Sequence, residues 1–271
     1  IYTRFFHKAC RDMGITEGHE PMTQLRNQGM VLGEDGEKMS KSRGNVVPPD
    51  DLVRAYGADT VRAYLMFFSR LEMGGPWSGG GIEGTSRWLK RLWNLVLDPA
   101  PASHAPDEAA VRQFRRKVHQ TLKAVTNDFE HFEFNTIVSG LMELLNEMAK
   151  AKAAGMGNQP AWDEAVEIYL KVLAPVCPHI TEELWSRMGK PYSIHTQAWP
   201  VGDEDAAAQE EITLVVQVNG KVRDRITVPV DIPEADARAA ALASETVQRF
   251  LEGKTPRQIV YVPGRLVNIV I

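Results

Sequence analysis

Residues 33–45, GEDGEKMSKSRGN, combine cations, hydroxyls and glycines in a run that has almost nothing to bury. Two lysines three residues apart can close on a polyphosphate, because their ammonium groups supply charge while neighbouring serines supply hydroxyl and amide donors. Three glycines leave the backbone free to rearrange around such an anion. The residues concerned are Lys38, Lys41, Ser40, Ser42, Gly33, Gly36 and Gly44.

This stretch is not a P-loop, because the pattern Gly-x-x-x-x-Gly-Lys-Ser/Thr does not fit it. A solvated basic turn, a phosphorylation site or a nucleic-acid patch would have the same composition. Composition alone therefore leaves a solvated turn and a polyphosphate clamp both open, and it favours the solvated turn.

Short elements on either side must position the loop. The apolar run 28–32, QGMVL, predicts a buried strand that leads into it. Residues 48–57 predict a helix begun by proline and aspartate and stopped by a glycine. A second helix is predicted over 58–68. One apolar face of that helix is expected to carry Val61, Tyr64, Leu65 and Phe68.

The composition describes a soluble globular protein, with 44% hydrophobic and 24% charged residues. At 271 residues the chain exceeds one ordinary domain, so two or three are expected. A net charge of −4 gives no global signal for nucleic acid, so any such contact must be local. Cys10 and Cys177 form no Cys-x-x-Cys pair, which fits a reducing cytoplasm and argues against structural zinc. No stretch is apolar enough to predict a membrane span.

The sequence opens on IYTRFFHKAC, with no initiator Met and no signal peptide. Apolar residues recur there at helical spacing without a capping residue before them. An amphipathic helix rarely begins without a cap. We therefore expect the sequence to be cut from a larger protein rather than to be a processed mature start.

The pattern changes twice along the rest of the chain. Five glycines and a proline within residues 69–81 predict a domain boundary. Helical periodicity then continues to about residue 190 and predicts an antiparallel bundle, with helices over 82–97, 108–130, 135–153, 161–174 and 179–188. Residues 203–211, DEDAAAQEE, predict an acidic linker.

A small α+β module is predicted beyond the linker. Two strand patterns flank Asn219-Gly220, a dipeptide that supplies positive φ at both central positions of a type I′ hairpin. A helix over 234–251 and a second hairpin around 263–265 complete a ββαββ unit. The predicted fold is thus multidomain and mainly α. Its predicted divisions are 1–75, a helical bundle over 76–202, a linker over 203–212 and the module over 213–271.

Other residue sets have weaker functional interpretations. His179 and Glu182 could ligate a metal from one helix face, but no third ligand is near in sequence, and a pair at a helix start is favoured. Four tryptophans could stack on bases, although aromatic residues at helical spacing more often belong to a core. They are Trp88, Trp93, Trp185 and Trp199.

Two basic sets could contact an RNA backbone. The set on the first bundle helix fits a solvated face equally well. The set in the module alternates along one strand, so its members are expected to share a face. Such a row suits phosphate contact. The alternative is that these charges keep an exposed edge strand soluble. The first set is Arg87, Lys90 and Arg91, and the second is Lys221, Arg223 and Arg225.

Residues 38–42, KMSKS, are identical to a signature of class I aminoacyl-tRNA synthetases, and the following Gly44-Asn45 continues it as that class does. The segment YGADTVRAYLMF resembles the one that follows the signature in the enzymes for leucine, isoleucine and valine. QGMVL before the loop resembles the leucine enzymes, where the other two usually carry His-Gly. WSGGGIEGTSRWLKRLWNLV, FEFNTIVSGLMELLN, APVCPHITEELW, VQVNGKVRDRITVP and PGRLVNIVI are also similar to bacterial leucyl-tRNA synthetases.

The resemblance implies the C-terminal part of such an enzyme. It would comprise the end of a Rossmann-like catalytic domain with the signature loop, a tRNA-binding helical bundle and a C-terminal tRNA-binding domain. The HIGH signature, leucine pocket and editing domain would lie upstream, so the fragment alone would be inactive. The implied partners are ATP with Mg²⁺, leucine and tRNA(Leu), in the cytoplasm and away from membranes. The stretch SRLEMGGPW departs from the family, which is often more acidic or proline-rich there.

In this family the carboxylate of leucine attacks the α-phosphorus of ATP, which gives leucyl-adenylate and pyrophosphate. Cations that contact the phosphate oxygens chiefly in the transition state lower the barrier. The resemblance marks Lys41 as the principal ATP contact and Lys38 as the second. It makes Ser40 and Ser42 supporting donors, and Met39 an anchor that packs beneath the loop.

Two alternatives stay open from the sequence. One is a sibling ligase for isoleucine or valine, against which QGM and VNGKVRDR argue. The other is a non-catalytic tRNA- or RNA-binding protein that reuses these domains. An intact signature loop argues against the second, because a binding module has no use for a triphosphate clamp.

Overall fold

The computed structural model describes residues 1–101, 104–208, 211–230, 232–251 and 253–271. Its contacts divide the chain into two compact units, Ile1–Gly202 and Asp203–Ile271. Most of the first unit is helical, and the second unit contains a four-stranded sheet. Among the described residues, no helix combines the length and the apolar character that crossing a bilayer requires.

The first unit begins with helix α1, Tyr2–Asp12, which has no side-chain cap at its N-terminus. The amphipathic pattern is therefore helical, as the sequence predicts. None of the α1 residues is buried, and the phenyl rings of Phe5 and Phe6 are exposed. The apolar stripe that defines the helix in sequence is thus uncovered here.

The strand that leads into the loop is shorter than predicted. Strand β1 contains only Val31–Leu32, is half-buried, and pairs in parallel with β2, Gly75–Pro76. The predicted buried strand over 28–32 is wrong for its first three residues. The chain just before β1 instead contacts the glycine-rich segment, residues 69–81. The Gly29 N–H donates to the carbonyl of Leu71 at 2.6 Å.

Two helices follow the loop, as predicted. Helix α2 is Pro49–Tyr56, with proline at its start and Gly57 at its end, and helix α3 is Ala58–Phe67. The apolar face of α3 is narrower than expected, because Leu65 is exposed. Val61 and Tyr64 instead form a small core with Trp77 and Ile82.

Five helices of the described residues form the bundle, and each begins and ends within one residue of its predicted bounds. They are α4 (Gly81–Leu97), α5 (Glu108–His131), α6 (Phe134–Ala153), α7 (Pro160–Leu173) and α8 (Pro178–Arg187). Leucine, valine and isoleucine side chains at helical spacing meet in one continuous core, which also receives Ala63 from α3. Of the four tryptophans, Trp88 and Trp185 are core residues, whereas Trp199 is 38% exposed.

A buried polar chain crosses the bundle core. The hydroxyl of Tyr169 on α7 donates to the carbonyl of Leu141 on α6 at 3.0 Å. It accepts a hydrogen bond from the indole N–H of Trp88 on α4 at 3.1 Å. Complete burial raises the pKa of Tyr169, so its hydroxyl stays protonated and serves as donor and acceptor together. One hydroxyl thus satisfies polar groups on two other helices.

Tyr169→Phe should therefore destabilise the bundle by about 1–3 kcal/mol, the cost of leaving buried polar groups without partners. The indole N–H and the Leu141 carbonyl would remain buried, and phenylalanine fills nearly the same volume. Urea unfolding of the chain measures the difference, with Tyr2→Phe, at an 86% exposed site, as the matched control. Equal midpoints for the two variants would show that this chain of hydrogen bonds adds nothing to stability.

The second unit is a sheet covered by two helices. Its strands are β3 (Glu211–Val218), β4 (Lys221–Pro229), β5 (Gln258–Val262) and β6 (Leu266–Val270), in the order β4-β3-β6-β5. Both predicted hairpins are present, and the two central strands β3 and β6 are parallel. Asn219 and Gly220 have φ of 50° and 76°, as a type I′ turn requires.

The predicted helix over 234–251 is in fact two helices, α10 (Glu234–Ala243) and α11 (Glu245–Leu251). The chain breaks at Ser244, whose extended backbone places its hydroxyl against the carboxylate of Asp224 on β4. In the chain order, a short helix, α9 (Glu204–Ala207), follows the bundle and lies within the predicted linker. Residues 209 and 210 of that linker lie outside the described part of the chain.

Candidate functional site

The first half of the signature loop is a tight hairpin. The Gly36 N–H donates to the Gly33 carbonyl at 2.9 Å, and the Gly33 N–H donates to the Glu37 carbonyl at 2.8 Å. Leu32 and Lys38 form an antiparallel bridge across its base. The hairpin therefore fixes where the backbone of Lys38 leaves the end of β1.

The second half of the loop is a single 3₁₀ turn, Lys41–Arg43. It begins after the extended residue Ser40 and ends at Gly44, whose φ of 69° favours glycine. The Ser40 and Ser42 hydroxyl oxygens lie 2.8 Å apart in a mutual hydrogen bond. Both hydroxyls thus lie on the same short turn as Lys41.

The two signature lysines carry the free positive charge of this loop. Within the described residues neither Lys38 nor Lys41 takes part in an ion pair, and both side chains are exposed. The third cation, Arg43, instead pairs with the carboxylate of Glu37 at 3.0 Å. A polyphosphate that approaches the loop would therefore meet the two lysines without displacing a carboxylate.

Met39 points away from its lysine neighbours. Its half-buried side chain packs against the small core of Val61, Tyr64, Trp77 and Ile82. This is where a residue that anchors the loop by packing would lie. Burial of Met39 between exposed Lys38 and half-buried Ser40 sets which side of the backbone faces solvent.

Asn45 has more polar contacts than any other described residue of the loop, and its residue type and spacing did not indicate this. Its carboxamide oxygen accepts from the Ser40 N–H at 2.8 Å. Its amide nitrogen donates to the Asp35 carboxylate at 3.1 Å and reaches the Lys38 carbonyl at 3.4 Å. The N–H of Glu37, and after it the Asn45 amide, lower the pKa of Asp35, so this carboxylate is ionised at neutral pH. The only signal in the sequence was the family resemblance of Gly44-Asn45.

A second contact missed from the sequence joins the loop to the glycine-rich segment. The carboxylate of Glu34 accepts a hydrogen bond from the Gly79 N–H at 3.1 Å. Next to it, the Tyr64 hydroxyl donates to the Ser78 carbonyl at 3.0 Å. The predicted boundary segment is thus hydrogen-bonded both to the loop and to α3.

Helix α3 contacts the segment that connects α7 and α8 through one cationic and one anionic side chain. Arg62 donates to the carbonyls of Pro175 and Val176 at 2.9 and 3.0 Å. The buried carboxylate of Asp59 accepts from the Ile180 N–H at 2.7 Å. A cation thus lies at the C-terminal end of α7 and an anion at the start of α8, which matches both helix dipoles.

His179 and Glu182, which the sequence analysis weighed and disfavoured as metal ligands, do not converge. His179 Nδ1 lies 2.8 Å from Asp59, whereas the Glu182 carboxylate accepts from the Ser193 hydroxyl and the Ile194 N–H. Across the residues that the structure describes, no three histidine, cysteine or acidic side chains form a group that could hold a metal ion. The His179 side chain thus contacts the start of α3, and the Glu182 side chain contacts the 3₁₀ turn Ile194–Thr196.

The basic set on α4 is spread over different surroundings. Arg91 donates to the side-chain oxygen of Asn146 on α6 at 2.6 Å, and Arg87 lies 4.0 Å from the Glu83 carboxylate. Lys90 lines an open cleft of about 490 Å³ together with Trp93. Arg91 lines a second open cleft, of about 570 Å³, together with Lys117 and Asn146.

The expectation that the basic residues of β4 share one face is wrong. Val216 pairs with Asp224, whereas the next residue, Gln217, pairs with Val222. Arg223 has no partner among the described residues of β3 and is therefore the extra residue of a β-bulge. A bulge breaks the alternation of side chains on which the expectation rested. The Arg223 guanidinium lies over the ring of Phe250 on α11, 4.0 Å from its centroid.

The two remaining cations of β4 lie on opposite sides of the sheet. Arg225 is exposed and pairs with Val215, which points away from the face that α10 and α11 cover. Lys221 pairs with Val218, a member of the covered core, and its exposed side chain lies at the end of the strand beside the turn. The module therefore presents separate charges rather than a row.

Comparison with known protein families gives two matches. Residues 4–73 match the family described as tRNA synthetases class I (I, L, M and V). Residues 111–239 match the family described as anticodon-binding domain of tRNA ligase. The first match contains the signature loop, and the second covers most of the bundle and reaches into the sheet module.

Curated relatives extend over the whole chain. A leucine–tRNA ligase from Deinococcus radiodurans is 52% identical over 270 residues, and one from Dehalococcoides mccartyi is 50% identical over 271. Each alignment includes 100% of this chain and 33% of the relative. The chain thus spans about a third of the length of the curated relatives it matches.

Solved structures give the same picture. A LeuRS from Agrobacterium radiobacter K84, in a ternary complex with tRNA and LeuAMS, superposes with a TM-score of 0.78 at 31% identity. The superposition covers 99% of this chain and 35% of that one. A Mycobacterium tuberculosis methionyl-tRNA synthetase shares the fold over 69% of this chain, with a TM-score of 0.52 at 20% identity.

Proposed function

We propose that this chain, which belongs to the leucine–tRNA ligase family, supplies the ATP-phosphate clamp and part of the tRNA-binding surface of a ligase that charges tRNA(Leu) with leucine. One observation carries the proposal. The signature loop is intact, and it presents Lys38 and Lys41 to solvent without acidic partners among the described residues. A solvated turn or a binding module would not need two cations held in this way.

The clamp would act during activation of leucine. The leucine carboxylate attacks the α-phosphorus of ATP, a bond forms from carboxylate oxygen to phosphorus, and the bond to the bridging oxygen of pyrophosphate breaks. Negative charge develops on the phosphorus and on the departing pyrophosphate. Ammonium groups aimed at those oxygens stabilise the transition state more than the ground state. Lys41 would be the first contact and Lys38 the second.

The other residues of the loop would have supporting roles. Ser40 and Ser42 would donate to phosphate oxygens after their mutual hydrogen bond opens, while Met39 holds the backbone to the core beneath it. Mg²⁺ would arrive with the phosphates of ATP as part of the substrate. We place the leucine pocket in the part of the relatives' length that this chain does not span, and the whole enzyme in the cytoplasm.

We propose a functional division that follows the predicted domains. Residues 1–75 would belong to the catalytic domain, 76–202 to a tRNA-binding bundle, and 213–271 to a C-terminal tRNA-binding domain reached through 203–212. The tRNA role is supported by the family description of residues 111–239 and by the tRNA in the ternary complex of the similar LeuRS. Lys90, which lines one of the clefts, and Arg225, on the sheet face opposite α10 and α11, are the basic residues that we propose for phosphate contact.

Leucine-dependent ATP–pyrophosphate exchange by the full-length protein tests this proposal, with isoleucine and valine as competing amino acids. We expect exchange with leucine, transfer of leucine to tRNA(Leu), and far lower rates with the two analogues. Exchange that requires isoleucine or valine would assign the chain to a sibling ligase. A full-length protein that binds tRNA and exchanges with none of the three would be a binding protein instead.

The chain of 271 residues alone should give no exchange above background. Two lysines and their loop contribute little without the rest of a preorganised site, because catalysis depends on the mutual position of the reacting groups. The same assay on the purified chain measures this. Exchange that rose with leucine would mean that the amino-acid pocket lies within residues 1–271.

A further inference from the structure

We infer that Asn45 is a positioning residue for leucine activation, which presents the two signature lysines through hydrogen bonds to the backbone between them. The inference rests on the proposed function of the loop. It adds a specific residue, outside residues 38–42, whose removal should slow the chemical step while both lysines remain in place.

The side chain of Asn45 reaches the backbone at two points that flank Met39. Its oxygen accepts from the Ser40 N–H at 2.8 Å, and its nitrogen approaches the Lys38 carbonyl at 3.4 Å. One planar carboxamide therefore spans the segment that separates the two lysines. The longer contact is the weaker one, so the Ser40 hydrogen bond is the firmer of the two.

Asp35 determines which way the carboxamide faces. An ionised carboxylate only accepts hydrogen bonds, so the NH₂ group of Asn45 must point toward it, at 3.1 and 3.3 Å from its two oxygens. The carboxamide oxygen is then turned to the Ser40 N–H. Asp35 is itself held by the Glu37 N–H at 3.0 Å. The orientation of Asn45 is thus set by the hairpin at the start of the loop.

Close packing at Gly33 supports a defined position for this group. A Cβ at Gly33 would lie 2.6 Å from the Asp35 carboxylate and 2.9 Å from the Asn45 amide nitrogen. Only glycine leaves room for both side chains there. The same three residues therefore join the two halves of the loop, from the end of β1 to the turn that precedes α2.

The chemical consequence concerns the arrangement of charge. Lys38 and Lys41 are exposed residues, and two flexible ammonium groups lower a barrier only if their spacing matches the phosphates in the transition state. Fixing the backbone between the two lysines reduces the conformational entropy that the loop loses when ATP binds. Asn45 would contact neither substrate, so it acts through the lysines.

Asn45→Ala in the full-length ligase should lower kcat for leucine-dependent exchange by about ten- to a hundredfold, the range that misplacement of catalytic groups produces. The KM for leucine should stay within about twofold, because the loop does not form that pocket. The matched control is Val46→Ala, at the next residue, whose side chain is 40% exposed. Hydrogen exchange at the Ser40 amide should accelerate in Asn45→Ala and not in the control. Thermal unfolding of each variant separates a local effect from loss of the fold.

A charge swap gives a sharper test. Asn45→Asp alone would place two carboxylates against each other where 3.1 Å now separates an amide from a carboxylate, and should be at least as damaging as Asn45→Ala. Adding Asp35→Asn restores a donor–acceptor pair and should recover most of the rate. If Asn45→Asp lowered kcat only by disturbing the fold, adding Asp35→Asn would not restore kcat without also changing the unfolding temperature.

A double-mutant cycle shows whether Asn45 acts through Lys41. Asn45→Ala should cost much less in a Lys41→Ala background than in wild type. Full additivity, or a normal kcat for Asn45→Ala when Lys41→Ala is impaired, would overturn the positioning role and leave the proposed clamp standing. If Lys41→Ala itself exchanges normally, the proposed function of the loop fails first.

Discussion

Lys41→Ala in the full-length protein is expected to lower kcat for leucine-dependent ATP–pyrophosphate exchange by about a hundredfold, or roughly 3 kcal/mol. In the role that we propose, the ammonium group would act on charge that develops as pyrophosphate departs, so its loss should appear in kcat and in kcat/KM, while the KM for leucine barely changes. Exposure of Lys41 and the absence of an ion pair for it among the described residues mean that no new unpaired carboxylate is created. The loss can then be assigned to the reaction rather than to the fold.

The matched control is Lys150→Ala, which removes a lysine with a 73% exposed side chain from the bundle surface. It should leave exchange unchanged, since that assay involves no tRNA. Similar damage from both substitutions, or a Lys41→Ala enzyme that exchanges at the wild-type rate, would show that the loop is not a phosphate clamp.

Removal of residues 203–271 should leave leucine activation intact and lower kcat/KM for aminoacylation by about a hundredfold, equivalent to some 2.8 kcal/mol at about 1.4 kcal/mol per decade. These residues form a compact unit with a hydrophobic core of their own, made by the sheet and α10 and α11. Truncation after Gly202 therefore cuts between two units and through neither core. The loss should reside in binding of tRNA.

Salt dependence is the control for this second prediction. Removing one cation that binds a phosphate should reduce the slope of log K against log salt concentration by about 0.7–0.9. Arg225→Ala, on the uncovered sheet face, should flatten the slope, whereas Val260→Ala, also exposed on the sheet, should not. Damage to activation as large as the damage to aminoacylation would mean that the module supports the catalytic fold instead.

The helical part of this fold could be predicted closely because its signals are local. Apolar residues recur every three or four positions along α4 to α8, and turns mark each end, so every bound is within one residue of its prediction. The break at Ser244 could not be predicted in this way. It depends on a hydrogen bond to Asp224, twenty residues earlier on a strand.

The site was predictable only in part, for a related reason. The string at 38–42 identifies the lysines by resemblance, whereas their composition alone favoured a solvated turn. The hydrogen bonds of Asn45 join residues that lie five to ten positions apart in an irregular loop, where no periodicity applies. The bulge at Arg223 likewise inserts one residue into an alternating strand, and nothing in the alternation predicts where that occurs.

Lysine-specific chemical modification of the full-length protein, followed by mass spectrometry, tests whether the loop binds the triphosphate of ATP. We expect that ATP with Mg²⁺ and leucine slows modification of Lys41 and Lys38, that adenosine with leucine does not, and that Lys150 reacts at one rate throughout. Equal protection by adenosine, or no protection of Lys41 by ATP, would contradict the assignment of this loop to the triphosphate.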